Sequence, residues 1–144
     1  MPPSSMGRWP GYAAAIWALL FAVLHVVWAA GWYIGLDHET ARRAFDQTWK
    51  LVYDIVVAGM CGLAVLVALA LVGTWGRQVP RRLVRVLAWS GTGLLVLRGG
   101  GGVMEGMFLA AVGKFVWEPM MLWEIWFCVG AALFLHPTWR FGRA

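Results

Sequence analysis

Charge is scarce in this sequence. Asp, Glu, Lys and Arg make up 13% of its 144 residues, while 61% are hydrophobic; an ordinary soluble domain is about one-quarter charged. A chain this short leaves much of its surface exposed when it folds in water, so it cannot hide that much apolar side chain. The shortage of charge argues against a soluble enzyme, and the mean hydropathy of +0.69 excludes a disordered chain. Cysteine is scarce too. Cys61 and Cys128 each stand alone in an apolar run, with no C-x-x-C, which excludes a thiol–disulfide reductase and leaves two small buried hydrophobes. The three histidines, His25, His38 and His136, share no depth and show neither H-x-x-H nor H-x-x-x-H spacing. No P-loop and no G-x-S-x-G occurs, and the glycines at 99–102 lie in an apolar run rather than after a strand. No metal and no cofactor is expected. The net charge of +5 does not point to nucleic acid, because Lys and Arg collect in the cytoplasmic loops of membrane proteins.

What is present are long apolar runs. A spanning helix needs about 20 such residues. Four segments qualify, at approximately 12–34, 51–75, 83–104 and 116–135, with no period-2 alternation that would suggest a barrel. The expected fold is all-α, a four-helix transmembrane bundle forming one domain over residues 1–144. The first run is too long for a signal-peptide core and reads as a retained span. Residues 105–115 either continue the third helix or lie along the interface, and 136–144 reads as a basic tail.

Orientation follows from the basic residues. Arg8, Arg77, Arg81, Arg82, Arg85, Arg140 and Arg143 fall on one side, and Arg42, Arg43, Lys50 and Lys114 on the other. Seven against four places both termini in the cytoplasm of a multi-pass inner-membrane protein. Trp9, Trp75 and Trp139 fall near one interface and Trp32, Trp49 and Trp117 near the other, the depth an amphipathic indole prefers.

On this topology every acid lies in the outer loops or the outer half of the spans: Asp37, Glu39, Asp46, Asp54, Glu105, Glu118 and Glu124. His25 and Arg98 fall at mid or outer depth. An ionisable group in hydrocarbon costs about 2.5–3.5 kcal/mol on insertion scales, so such groups face inward and pair. Arg98 therefore needs Asp54, Glu105 or Glu124. Arg98 and Glu105 are seven apart and share a face if the helix continues through Gly99–Gly102. That glycine run either breaks the helix or lets a neighbouring backbone or a ligand come close.

Trp17, Phe21, His25, Trp28 and Trp32 form one helical stripe, packing in the simplest reading, with a histidine at its centre. Glu118 and Glu124 are six apart and so on different faces. Glu118, beside Pro119, suits the positive start of a helix. Glu124, between Trp123 and Trp126, and Asp54 are the better candidates for buried carboxyls.

The pieces His25-Val-Val-Trp28-Ala-Ala-Gly31, Trp89 with Leu97-Arg98-Gly99-Gly100, and Pro119 with the apolar run to Gly130 resemble a bacterial family of short four-helix membrane proteins, domain-of-unknown-function family 3995. The similarity spans about Ala13 to Leu135. The chain departs from the pattern at Glu118, Glu124 and Gly99–Gly102. The resemblance implies the fold and carries no activity.

The expected function is binding or acid–base transformation of a lipophilic small molecule, as by an isomerase or cyclase, in the outer half of the bundle. His25, Asp54 and Glu124 would handle protons in one shared cavity. Arg98 would anchor the ligand, Trp28 and Trp123 would wall it, and Glu105 and Glu118 would line it. Alternatives are an accessory or assembly subunit whose polar pairs only fix packing, and a small proton-coupled transporter. The expected partners are membrane lipid and the lipophilic molecule, with room for a homo-oligomer or a larger membrane complex. The orientation is open to test: a cysteine placed at Arg81 should resist an impermeant thiol reagent in intact cells, and labelling from outside would reverse it.

Overall fold

A computed structural model of the chain describes residues 8–35, 39, 48–117 and 121–143. Among these are four α-helices and no strand: α1 Trp9–Ala29, α2 Thr48–Val72, α3 Arg81–Ala111 and α4 Met121–Arg143, with a short 3-10 helix, Trp75–Gln78, before α3. All four α-helices are long and apolar enough to cross a membrane. The chain is an all-α, multi-pass membrane protein. Its exposed surface carries the same message. On α1, Ile16, Leu19, Leu20, Val23 and Val26 point outward while Ala14, Ala18, Phe21 and His25 are buried. A helix as apolar on its exposed face as on its packed one suits lipid and not water.

The helices end where their backbone chemistry dictates, and not always where the apolar runs end. The first span was expected to reach residue 34, but α1 stops at Ala29. Gly31 adopts φ 90°. Its N–H donates to the Trp28 carbonyl at 2.8 Å, and the Trp32 N–H to that of Val27 at 3.0 Å. This is the Schellman arrangement, with glycine in the left-handed position that satisfies the last carbonyls. The same device closes α3. Gly113, at φ 69°, donates to Ala110 at 3.1 Å and Lys114 to Leu109 at 2.8 Å. The third helix thus runs seven residues past its expected end at 104, straight through Gly99–Gly102. At the chain's end α4 continues through Pro137 to Arg143, so the expected basic tail is helical. Its described start is Met121 rather than 116, and Glu118 lies outside the described residues.

Packing divides the chain into two compact units, Met1–Ala14 with Val67–Ala144, and Ala15–Leu66. In the first, α3 and α4 pack antiparallel, and contacts at successive levels set their register. Arg81 donates to the Phe141 carbonyl at 3.3 Å. Deeper, Thr92 and Thr138 are buried with their hydroxyls 3.4 Å apart. Thr92 Oγ1 donates to the Ala88 carbonyl at 2.8 Å, which leaves Thr138 as donor within the pair. Next comes Gly99, against the Cys128 backbone, and then Gly102, against Glu124. In the second unit, α1 and α2 are joined by the buried side chains His25 and Asp54.

The glycine run serves close approach and not a break. A Cβ on Gly99 would sit 2.8 Å from the Cys128 nitrogen, whereas one on Gly101 would meet nothing within 4 Å. Gly99→Ala should therefore destabilise the detergent-solubilised protein by about 1–3 kcal/mol through overpacking. Gly101→Ala, in the same helix two residues on, should stabilise it by up to about 1 kcal/mol through helix propensity. Thermal melts of the two variants check this, and equal effects would refute the assigned helix face.

Candidate functional site

The α1 stripe forms as a packed column over its first four members. Trp17 stacks on Phe21 at 6.0 Å between centroids, Phe21 meets the His25 ring edge-on at 4.3 Å, and His25 lies 5.2 Å from Trp28. Trp32 is the exception. It lies beyond the Gly31 stop and is 71% exposed. Trp28 donates its indole N–H to the Ile34 carbonyl at 3.0 Å, so its ring is held over the imidazole by the turn that ends the helix.

The imidazole is oriented by its own helix. His25 Nδ1 lies 2.9 Å from the Phe21 carbonyl, which can only accept, so Nδ1 carries a hydrogen. That leaves Nε2 facing Asp54 Oδ1 at 3.7 Å, both side chains almost wholly buried. The distance is long for a direct hydrogen bond and short for a charge pair. The other carboxylate oxygen, Asp54 Oδ2, is buried with no hydrogen-bond partner among the described residues. A bare carboxylate oxygen in an apolar surrounding is costly. An imidazole nitrogen and a carboxylate oxygen thus face each other beside an acceptor that nothing among the described residues satisfies.

Arg98 finds its acid in α4. Its Nη1 donates to Glu124 Oε1 at 2.6 Å and also contacts Oε2. Of the three carboxylates in prospect, Glu124 is the partner. Glu105 shares the continuous helix with Arg98 but is exposed on the wall of a cleft. The Glu124 carboxyl lies against Gly102, where any Cβ would collide with it. The Arg98 guanidinium also lies over the Phe127 ring, 4.9 Å from its centroid. The pair differs from His25 and Asp54 in its setting: the Arg98 side chain is 54% exposed and that of Glu124 19%. His25 pairs with Asp54 within one unit, and Arg98 pairs with Glu124 within the other. Trp123 is half-buried beside Glu124 in sequence.

The cleft, of about 690 Å³, lies between the C-terminal turns of α3, the segment after it and the start of α4. Glu105, Lys114 and Glu124 contribute its ionisable side chains among the described residues, and Phe115 and Trp117 its aromatic ones. Gly102 and Gly106 form part of its floor, and the Phe115 ring folds back to within 3.8 Å of a Cβ on Gly106. Lys114, Phe115, Trp117 and Gly106 were not among the site residues expected from the sequence, Lys114 and Trp117 having been read only as markers of topology. The available signal was the spacing of Gly99, Gly102 and Gly106, one helical face, which the contiguous run at 99–102 obscured. No group of three metal-ligating side chains occurs among the described residues.

These helices and buried polar pairs define a multi-pass α-helical membrane protein with ionisable groups inside its spans. A family model matches residues 18–134, and the chain belongs to that family, described as protein of unknown function (DUF3995). No curated protein and no solved structure matches it.

The Arg98 pair makes its own prediction. Arg98→Leu should strand the Glu124 carboxylate and cost about 1–2 kcal/mol, less than a fully buried pair because Arg98 is half exposed. Arg98→Lys should recover part of the loss, since an ammonium replaces the charge but not the planar fork. Melting temperatures in detergent check this, and an unchanged Arg98→Leu would show the pair to be energetically idle.

Proposed function

We propose that this chain is a membrane-embedded acid–base protein that binds a lipophilic small molecule and moves a proton on it, with His25 and Asp54 as the working pair. The observation that carries the reading is the buried, unpartnered Asp54 Oδ2 beside an imidazole whose other nitrogen is already committed. Together the two groups are neutral when they share one proton, whether it sits on Nε2 or on the carboxyl. Gaining or losing a second proton would leave net charge in an apolar site, so the pair is suited to give a proton to one atom of a bound molecule and take one back from another. The atoms balance as an isomerisation: one proton is delivered, one is recovered, and the pair returns to its starting state.

The surroundings favour a lipophilic substrate. Phe21 and Trp28 contact the imidazole, and aromatic faces also stabilise positive charge that develops on a protonated intermediate. Glu124 is a weaker proton carrier in this reading, because Arg98 holds its carboxylate oxygens. The chain sits in a bacterial inner membrane with both termini cytoplasmic, a placement supported by the excess of arginine at Arg8, Arg77–Arg85 and Arg140–Arg143.

A second reading, an accessory subunit with structural polar pairs, is favoured by the Arg98–Glu124 and Thr92–Thr138 contacts, which join helices without an unmet group between them. Solvent deuterium separates the two. Purified full-length protein incubated in heavy water with total membrane lipid extract should introduce deuterium at carbon into one lipophilic species, read by mass spectrometry. Asp54→Asn and His25→Asn should reduce the rate by about 100-fold or more, the usual scale of a lost general acid or base. Incorporation that is absent in the wild type, or equal in both variants, would contradict the acid–base reading.

A further inference from the structure

The α3–α4 cleft lies in the other unit and takes no part in the proton chemistry proposed for His25 and Asp54. Its depth is fixed by α3 itself. Arg85, the last of the basic residues at the start of α3, and Glu105 are separated by twenty residues of one continuous helix. At 1.5 Å per residue that is about 30 Å, one hydrocarbon thickness. With Arg85 in one headgroup layer, Glu105 falls at the edge of the other. The last turn of α3 and residues 112–117 then lie among the headgroups. Trp117, 59% exposed, stands where an indole prefers to be.

The cleft is therefore open to headgroups at one level and to acyl chains at the next. Its chemistry is mixed in sign. Glu105 and Glu124 are acids, and α3 presents the negative end of its dipole there. Phe115 and Trp117 offer ring faces that attract an ammonium. Lys114 is the counterweight, a cation suited to a phosphate. Gly102 is covered by the Glu124 carboxyl, while the absence of a side chain at Gly106 lets an occupant approach the helix backbone. The volume of about 690 Å³ is that of a small-molecule site.

We propose that this cleft binds one zwitterionic aminophospholipid of the membrane, its ammonium directed to Glu105 and the aromatic rings, its phosphate to Lys114, and the upper part of a chain lying along the apolar wall. Glu124 is already held by Arg98, so an anionic lipid would meet the uncompensated Glu105 and the C-terminus of α3 with Lys114 alone to offset them. A detergent-purified sample of the full chain, titrated with phosphatidylethanolamine or phosphatidylglycerol of matched chains and read by native mass spectrometry, tests the assignment. Glu105→Gln and Lys114→Met should each weaken retention of phosphatidylethanolamine roughly tenfold, the loss of one charge contact. Gly106→Leu, which fills the floor with a good helix former, should abolish it. Phosphatidylglycerol, drawn to the arginines at the start of α3, should be retained equally by all four proteins, which also reports that the variants are folded. Glycerophosphoethanolamine, the headgroup without chains, should not compete. Undiminished phosphatidylethanolamine retention by Gly106→Leu or Glu105→Gln would overturn the site, and effective competition by the free headgroup would overturn its assignment to a lipid.

Discussion

Hydrocarbon offers no hydrogen bonds, so every polar side chain inside a span must find its partner within the protein. The described structure follows from how that constraint is met. Thr92 satisfies itself on its own helix and receives Thr138 from the next. Arg98 reaches across to Glu124, and the carboxyl fits because Gly102 has no side chain there. Small residues do the remaining work: Gly99 lets the α4 backbone close in at Cys128, and close backbone approach supplies the packing that the hydrophobic effect does not supply in lipid. His25 and Asp54 meet the constraint only in part. One imidazole nitrogen is satisfied, the other faces an oxygen 3.7 Å away, and the second oxygen has no partner among the described residues.

The two pairs differ in how far their hydrogen-bonding capacity is met. A pair such as Arg98 and Glu124 is complete: a charge-assisted contact between a permanent cation and a carboxylate, with nothing left for a substrate except the exposed edge of the guanidinium. The pair of His25 and Asp54 is incomplete in a specific way. Its two members face each other at 3.7 Å, and Asp54 Oδ2 retains an acceptor unmet among the described residues. Buried ion pairs often add little to stability beyond what apolar residues of the same size would give.

Much of this was legible in the sequence, and the parts that were not share a cause. Apolar runs located all four spans, because length and composition decide which segments enter a bilayer. Their ends were misplaced where a backbone device overrides composition: Gly31 stops α1 inside an apolar run, and Gly113 stops α3 only after seven further residues. The need of Arg98 for an acid was legible because charge inside a span must be compensated, but the choice of Glu124 depends on the α3–α4 register. The stripe carrying His25 was legible from its spacing, except for Trp32, which the Gly31 turn removes from it. The cleft left no trace in the apolar pattern. It arises from side chains that are missing, at Gly102 and Gly106, and from a connecting segment that folds Phe115 back onto the helix.

The account stands or falls on whether His25 and Asp54 are held for chemistry or for packing, and the stability of their double replacement decides it. Melting temperatures of the detergent-purified wild type, His25→Leu, Asp54→Leu and His25→Leu/Asp54→Leu would be compared. A pair kept for chemistry predicts that each single variant melts lower, because it strands a buried polar group, and that the double variant melts at or above the wild type. A double variant that loses as much stability as the two singles together would show the pair to be a structural clasp between α1 and α2, and would contradict the account.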